Sequence, residues 1–326
     1  MSRRIPFLVL ACLAAATPLA AQQKSLPEQI ADVMAQLNGG IHTGFRFAHA
    51  KGMVATGTFT ASPAAASISK AAHFKPGSVP VTVRFSNSTG VPEINDDNAN
   101  ASPRGMAIRF MLGKSYTDIV ANSHNGFFIG NGDDFLAMLK AIAASGDPKA
   151  KHPLPIEQFL GSHPRALKVI VDSKPKPASF GTLAYFGNNA FVFVDSTGTK
   201  RAGRYQIIPE AGIHSIDSAA AAKAGPNYLF DELGKRIAKA PIKFKLYVQL
   251  ANSGDPTNDG SMVWPDDRKK VEMGELSITT LVADNQTAQR DLRFNPILIT
   301  NGIELSDDPL VPLRSAVYAI SVSHRH

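Results

Sequence analysis

The chain has 326 residues, 44% of them hydrophobic and 19% charged, and a formal net charge of +7 at pH 7; that length can bury a large core, in one domain or in two. The positive excess is spread along the chain with no dense Lys/Arg block interleaved with aromatics, which argues against nucleic-acid binding. The one cysteine is Cys12, and outside its N-terminal segment disulfides, thiol chemistry and cysteine-ligated zinc are excluded.

In chain order, Arg3 and Arg4 precede an apolar run over 5–16 that is too short to span a bilayer, and Leu19-Ala20-Ala21 offers small residues for cleavage. Residues 1–21 therefore read as a secretory signal and 22–326 as the exported, periplasmic part, whose charge falls to +5 when Arg3 and Arg4 are lost from +7. Ser2-Arg3-Arg4 points weakly to twin-arginine export, although Pro6 interrupts the usual apolar continuation. Apolar residues continue past Cys12, against a lipid anchor, and no later run is long enough for a membrane anchor.

Alternating or β-branched segments at 53–60, 79–86, 104–111, 183–195, 241–251 and 275–283 predict strands, many of them separated by Gly, Pro, Asn or Asp. Helices are expected at 134–144, at 227–238 and from about residue 310 onward. Short stretches at 61–72 and 210–226 read as surface excursions. Strands first and helices later indicate a single α+β domain around an antiparallel sheet or barrel, not βαβ units. No glycine-rich phosphate loop follows a strand.

Four places carry chemistry. In the tail, Arg314, Tyr318, Ser321 and Arg325 are spaced by four, three and four, which puts all four on one helix face. That face could be an ordinary polar one. A phenol, however, must lose its proton to ligate ferric iron well, and an Arg one turn away favours the phenolate. Arg46-Phe47-Ala48-His49-Ala50-Lys51-Gly52 contains a His just before a strand, alone most simply structural. In Val81-Thr82-Val83-Arg84-Phe85-Ser86, a strand would put Arg84 and Ser86 on one face. The fourth place is Asp118-Ile119-Val120-Ala121-Asn122, followed by Gly126-Phe127-Phe128-Ile129 and Phe135, singly a turn Asn and core aromatics.

Together, in this order, these motifs resemble the catalase family, and specifically its short exported branch of catalase-related peroxidases. Arg-x-x-His-Ala-Lys-Gly is similar to the family's distal-histidine strand, Val-Arg-Phe-Ser to the next, Pro103-Arg104-Gly105 to the one after, and 118–128 to the distal-asparagine segment. The tail resembles the proximal helix, Arg-x-x-x-Tyr-x-x-Ser/Thr-x-x-x-Arg. The likeness is dense over 46–135 and again over 302–325.

The resemblance implies a catalase-like antiparallel barrel with surrounding helices, a b-type haem with Tyr318 as axial tyrosinate, and Arg314 lowering the Tyr318 pKa. It implies His49 as the group that takes a proton from peroxide and returns it to the leaving oxygen. Asn122 would steady the peroxide, and Ser86 would fix the His49 ring. Arg46, Arg84 and Arg325 would hold the propionates. Phe135 would stack on the haem and Phe127 narrow the channel.

The sequence also departs from the family. Ala48 stands where catalases have valine, and Ser102 where they carry an Asp before Pro-Arg-Gly. The chain ends one residue after Arg325, so the long C-terminal extension is not expected. Ala48 and Ser102 point to a peroxidase for hydrogen peroxide or organic hydroperoxides, with an unidentified electron donor and weak or no dismutation, as a monomer or small homo-oligomer. The alternatives are a lipid-hydroperoxide-rearranging enzyme resembling allene oxide synthase, which carries Thr where Ala48 stands, and a non-catalytic periplasmic haem-binding protein.

Overall fold

A computed structural model describes residues 23–172 and 175–325; the signal expected over 1–21 and Cys12 lie outside the described residues. The chain opens with α1 (Leu26–Leu37), started by Glu28, whose carboxylate accepts the Ser25 backbone N–H at 2.7 Å and the Ser25 hydroxyl at 2.6 Å. Four long strands follow: β1 (Gly52–Ala61), β2 (Ser78–Ser86), β3 (Gly105–Leu112) and β4 (Ser115–Asn122). Then come α2 (Gly132–Ser145), α3 (Pro155–Ser162) and α4 (Pro164–Asp172), and the short strands β5 (Lys176–Pro177), β6 (Tyr185–Phe186) and β7 (Phe191–Val194). After them come β8 (Lys200–Pro209), β9 (Ser215–Ile216), α5 (Ser218–Lys223), α6 (Tyr228–Lys239), β10 (Ile242–Leu250) and β11 (Lys270–Leu281). The chain finishes with α7 (Asn285–Asp291), β12 (Ile303–Leu305) and α8 (Leu310–Ser323).

The long strands pair antiparallel in the order β10-β11-β1-β2-β3-β4-β6-β8, and β8 pairs back onto β10. The result is an eight-stranded closed barrel, to which β7 and β12 add a flap beyond β8. Closure leaves no free edge along that ring. Phe59, Phe85, Phe110, Phe180, Tyr185 and Phe244 fill the interior, each fully buried. Phe59 meets Phe110 edge-to-face at 5.1 Å. Each such ring contributes about 1.5–3 kcal/mol on leaving water.

On β2, Val81, Val83 and Phe85 point into this core, so Arg84 and Ser86 face outward. They do not meet solvent there, being 4% and 3% exposed. A helical layer covers them: α1, α2 and α8 pack on one another through Ile30, Leu136, Leu139 and Val317, with Phe135 and Leu313 alongside. The space between this layer and the outer face of β2–β4 positions the site.

The predicted segments at 53–60, 79–86, 104–111 and 241–251 match β1, β2, β3 and β10 within a residue or two, and 134–144, 227–238 and the tail match α2, α6 and α8. The strand predicted over 183–195 is two short ones, β6 and β7, because Gly187-Asn188-Asn189 breaks the run. β8 carries no apolar alternation in its first half, Lys200-Arg201-Ala202-Gly203-Arg204, and is identifiable only through its pairing on both sides. The stretch 61–72 is not a surface excursion: Ala65, Ile68 and Ala71 are buried in the core. Among the described residues no helix is long and apolar enough to cross a membrane.

Candidate functional site

One cavity of about 220 Å³ lies between the barrel and the helical layer. Arg46, His49, Arg84, Ser86, Asn122, Phe127, Phe135, Arg314, Tyr318 and Arg325, the residues singled out in the sequence, all line it. Strand register brings the first wall together. Ser86 pairs with Gly105, Gly105 with Asn122, and Asn122 with Phe186, a single row across four strands.

His49 lies over this row in the left-handed backbone region, φ 58°, the described non-glycine residue with positive φ. Its ring Nδ1 is 3.1 Å from Ser86 Oγ. The close approach depends on Gly105: a Cβ there would stand 2.6 Å from Ser86 Oγ and 2.8 Å from His49 Nδ1. Burial, then the charge of Arg84, lowers the His49 pKa to about 3, against a weaker opposing contribution from the Asn87 backbone. The imidazole is therefore neutral throughout the neutral range. Asn122 Oδ1 accepts the His124 backbone N–H at 2.9 Å, which leaves the amide NH2 as the group this side chain offers the cavity.

The facing wall is helical. Arg314 donates to the Tyr318 hydroxyl through Nε at 3.3 Å and Nη2 at 3.0 Å, the pair lying one turn apart on α8. Arg314 Nη1 donates to Asn189 Oδ1, and Asn189 Nδ2 donates to Asp308 Oδ2 at 2.8 Å. A buried carboxylate thus anchors the guanidinium through an amide. Ser321 Oγ accepts the Phe47 N–H at 3.2 Å, tying the tail to the segment that carries Arg46. Helix α8 ends at Ser323, so Arg325 is not on the helical face with the other three; it reaches the cavity from the turn beyond.

Arg46, Arg84 and Arg325 form a cluster of cations, Arg84 and Arg325 buried and Arg46 partly so. Arg46 Nη2 and Arg325 Nη1 donate to one carbonyl, Leu292 O, at 2.5 and 3.1 Å. Arg84 Nη2 donates to His49 O at 2.6 Å and to Gln289 Oε1 at 2.7 Å. Burial and then neighbouring arginines lower all three pKa values; no carboxylate of the described residues is among the perturbing groups. Arg325 Nε is buried without a hydrogen-bond partner. Buried cations without counter-charge cost several kcal/mol each, so this wall is built for a ligand carrying anionic groups. Phe127 and Phe135, with ring centroids 5.9 Å apart, close the apolar side.

Two polar lining residues escape the sequence reading. Besides Asn189, Asn188 accepts Gly126 N–H at 2.9 Å while its Nδ2 is buried with no partner. In sequence, Gly-Asn-Asn is indistinguishable from a turn. Ser102 stands at the end of a short turn and does not line the cavity.

Comparison with known proteins gives a concordant result. The catalase family profile matches residues 41–326. The catalase-related peroxidase of Mycolicibacterium paratuberculosis is 34% identical over 303 residues, covering 92% of this chain and 94% of the relative. That of Synechococcus elongatus is 29% identical over 289 residues, covering 88% and 85%. The solved structure of a fungal catalase superposes with a TM-score of 0.78 at 21% identity, over 98% of this chain and 66% of the other, and a bacterial catalase with 0.75 at 21%, over 97% and 63%.

Proposed function

The chain belongs to the catalase family, and on that premise we propose that it is a haem-dependent peroxidase, exported to the periplasm, that reduces hydrogen peroxide or organic hydroperoxides with a reducing co-substrate and dismutates peroxide weakly or not at all. The observation that carries the reading is the pairing of one neutral, partly buried imidazole on the strand wall with one guanidinium-held phenol on the helical wall of the same cavity. Mere binding requires the second and not the first.

Haem b fits the residues present. Tyr318, held by two N–H donors of Arg314, is suited to ligate ferric iron as a phenolate. Arg46, Arg84 and Arg325 supply cations for two propionates, which answers the missing counter-charge. Phe135 and Phe127 supply apolar contact for the ring. Haem bound there would supply the redox chemistry, accepting the oxidising equivalents of a peroxide and passing them to a donor.

The chain's own residues manage protons. With Nδ1–H donating to Ser86 Oγ, His49 presents Nε2 to the cavity as a free base. It takes the proton from one peroxide oxygen and delivers it to the other, which departs as water or an alcohol; such acid–base help is worth about 10²–10⁴-fold. The Asn122 amide donates to the peroxide and holds it in reach. Weak dismutation is read from Ala48, a smaller lining residue than valine, and from Ser102, which leaves the turn outside the cavity without the charge an aspartate would bring. The test is a steady-state assay of haem-loaded protein with hydrogen peroxide, with and without a reducing dye. Donor oxidation with little oxygen release is expected; rapid oxygen release without any donor would make it a catalase.

A further inference from the structure

Next to the cavity, and outside its lining, lies a second buried polar cluster centred on Asp96, which is fully buried in the loop between β2 and β3. Asp96 Oδ1 accepts from Lys51 Nζ and Asn87 Nδ2, both at 2.8 Å, and Oδ2 accepts from Leu229 N–H at 2.9 Å. Asn87 Oδ1 in turn accepts from Arg104 Nη1 at 2.6 Å, and Arg104 Nη2 donates to Asp96 O at 2.5 Å. Lys51 also reaches Ile94 O and Pro226 O, at 2.8 and 2.9 Å.

Each partner is a near neighbour of a distal residue. Lys51 is two residues after His49, Asn87 follows Ser86, and Arg104 precedes Gly105. These are the residues whose side-chain and backbone atoms meet at the imidazole. We propose that Asp96 is the positioning residue of the distal site: through Lys51, Asn87 and Arg104 it locks the three backbone segments that hold His49 in its left-handed conformation against Ser86.

The physical reason is strain. A residue with a β-carbon held at φ 58° is strained and persists only where its surroundings over-determine it. The backbone bonds His49 N–H to Ser88 O (2.8 Å), Ala50 N–H to Thr89 O (2.9 Å) and Asn87 N–H to Lys51 O (3.0 Å) fix 49–51 against 87–89. Asp96 clamps a side chain from each of these two segments to one oxygen. Asn cannot replace it, because whichever way the amide is turned, its NH2 faces a donor, either Leu229 N–H or the Lys51 and Asn87 pair. Asp96 does not line the cavity, so it acts on the reaction only by holding His49 in place.

This inference rests on the peroxidase reading, and its test separates the two. The rate constant for hydrogen peroxide is measured on haem-loaded wild type, Asp96→Asn, His49→Ala and the double variant. The ring ¹⁵N signals of His49 are measured on the haem-free proteins. Asp96→Asn is expected to slow the reaction about 10–100-fold, the scale of a lost supporting partner, and to have no further effect on the His49→Ala background. Its His49 ring should lose the single-tautomer signature of the wild type. Should Asp96→Asn fail to fold, Asn87→Ala carries the same cycle. An equal slowing with and without His49, or a ring signature unchanged from wild type, overturns the proposal. A wild type that holds haem and ignores peroxide defeats the peroxidase reading instead, and the ring signal alone then decides the positioning role.

Discussion

Two clusters of buried cations sit side by side at one end of the barrel, and they are built in opposite ways. Around Asp96, Lys51 is paired with a carboxylate at 2.8 Å, and Arg104 donates to Asn87 and to the Asp96 carbonyl; Arg104 Nε is buried without a partner, but this cluster holds a carboxylate of its own. In the cavity, Arg46, Arg84 and Arg325 rest on carbonyls and an amide and perturb one another, with no carboxylate of the described residues acting on them. A cluster with its own counter-charge is a device of the fold. One without it marks where something else must bring the charge.

The sharpest test of this contrast removes neither cluster. His49→Ala is expected to leave haem content unchanged while slowing the reaction with peroxide about 10²–10⁴-fold, followed by stopped-flow absorbance. Equal reactivity in the variant would place the proton transfer elsewhere.

Next, Lys51→Met leaves Asp96 buried without its cation, and should destabilise the fold by about 3–5 kcal/mol with or without haem. Arg46→Met should do the reverse, leaving the haem-free protein as stable or more so while weakening haem affinity. Urea titration of both variants, haem-free and haem-loaded, reads the pattern. If Arg46→Met destabilised the haem-free protein as much as Lys51→Met, the cavity cluster would be structural too.

Tyr318→Phe belongs between the clusters, since Arg314 donates twice to that hydroxyl. A high-spin ferric spectrum in the wild type, lost or shifted in the variant, is the expected outcome. Identical spectra would remove Tyr318 as the ligand.

The smallest effect is on acidification. Burial holds His49 and His73 at about 3, below the usual 6.5. His73 is packed on Phe74 at 3.9 Å and Phe110 at 4.6 Å, with neither ring nitrogen bonded. Between pH 6.5 and about 3 the unfolded chain binds more protons than the folded one, so stability is full above 6.5 and falls as pH drops through that window. Each histidine contributes a slope of up to about 1.4 kcal/mol per pH unit. His73→Phe should remove roughly half of this slope in urea titrations from pH 7 to 4, and the peroxide reaction, so far as His49 limits it, should stay flat over the same range.

How much of this could be read in advance differs between the walls. The helical wall was legible because the spacing of Arg314 and Tyr318 is one turn, and a helix converts sequence spacing into position without help from the rest of the chain. Even there the periodicity carried one residue too far, since α8 stops before Arg325. On the strand wall, alternation put Arg84 and Ser86 on one face but could not say that the face is covered by helices. Nor could it bring Ser86, Gly105 and Asn122 into one row, which depends on the register of strands joined by loops. Asn188, Asn189 and Asp96 carried no local signal at all, being polar residues in turn-rich segments whose roles come from partners far away in sequence.

The sequence by itself therefore determined the strand and helix periods, the helix spacing of the tail and a set of side chains that meet in one cavity. Only the tertiary structure decided which of the buried cations are already paired and which face an empty demand for anionic charge. Pairing of that kind is a matter of distance between segments remote along the chain, such as Lys51 and Asp96, and no local period encodes it.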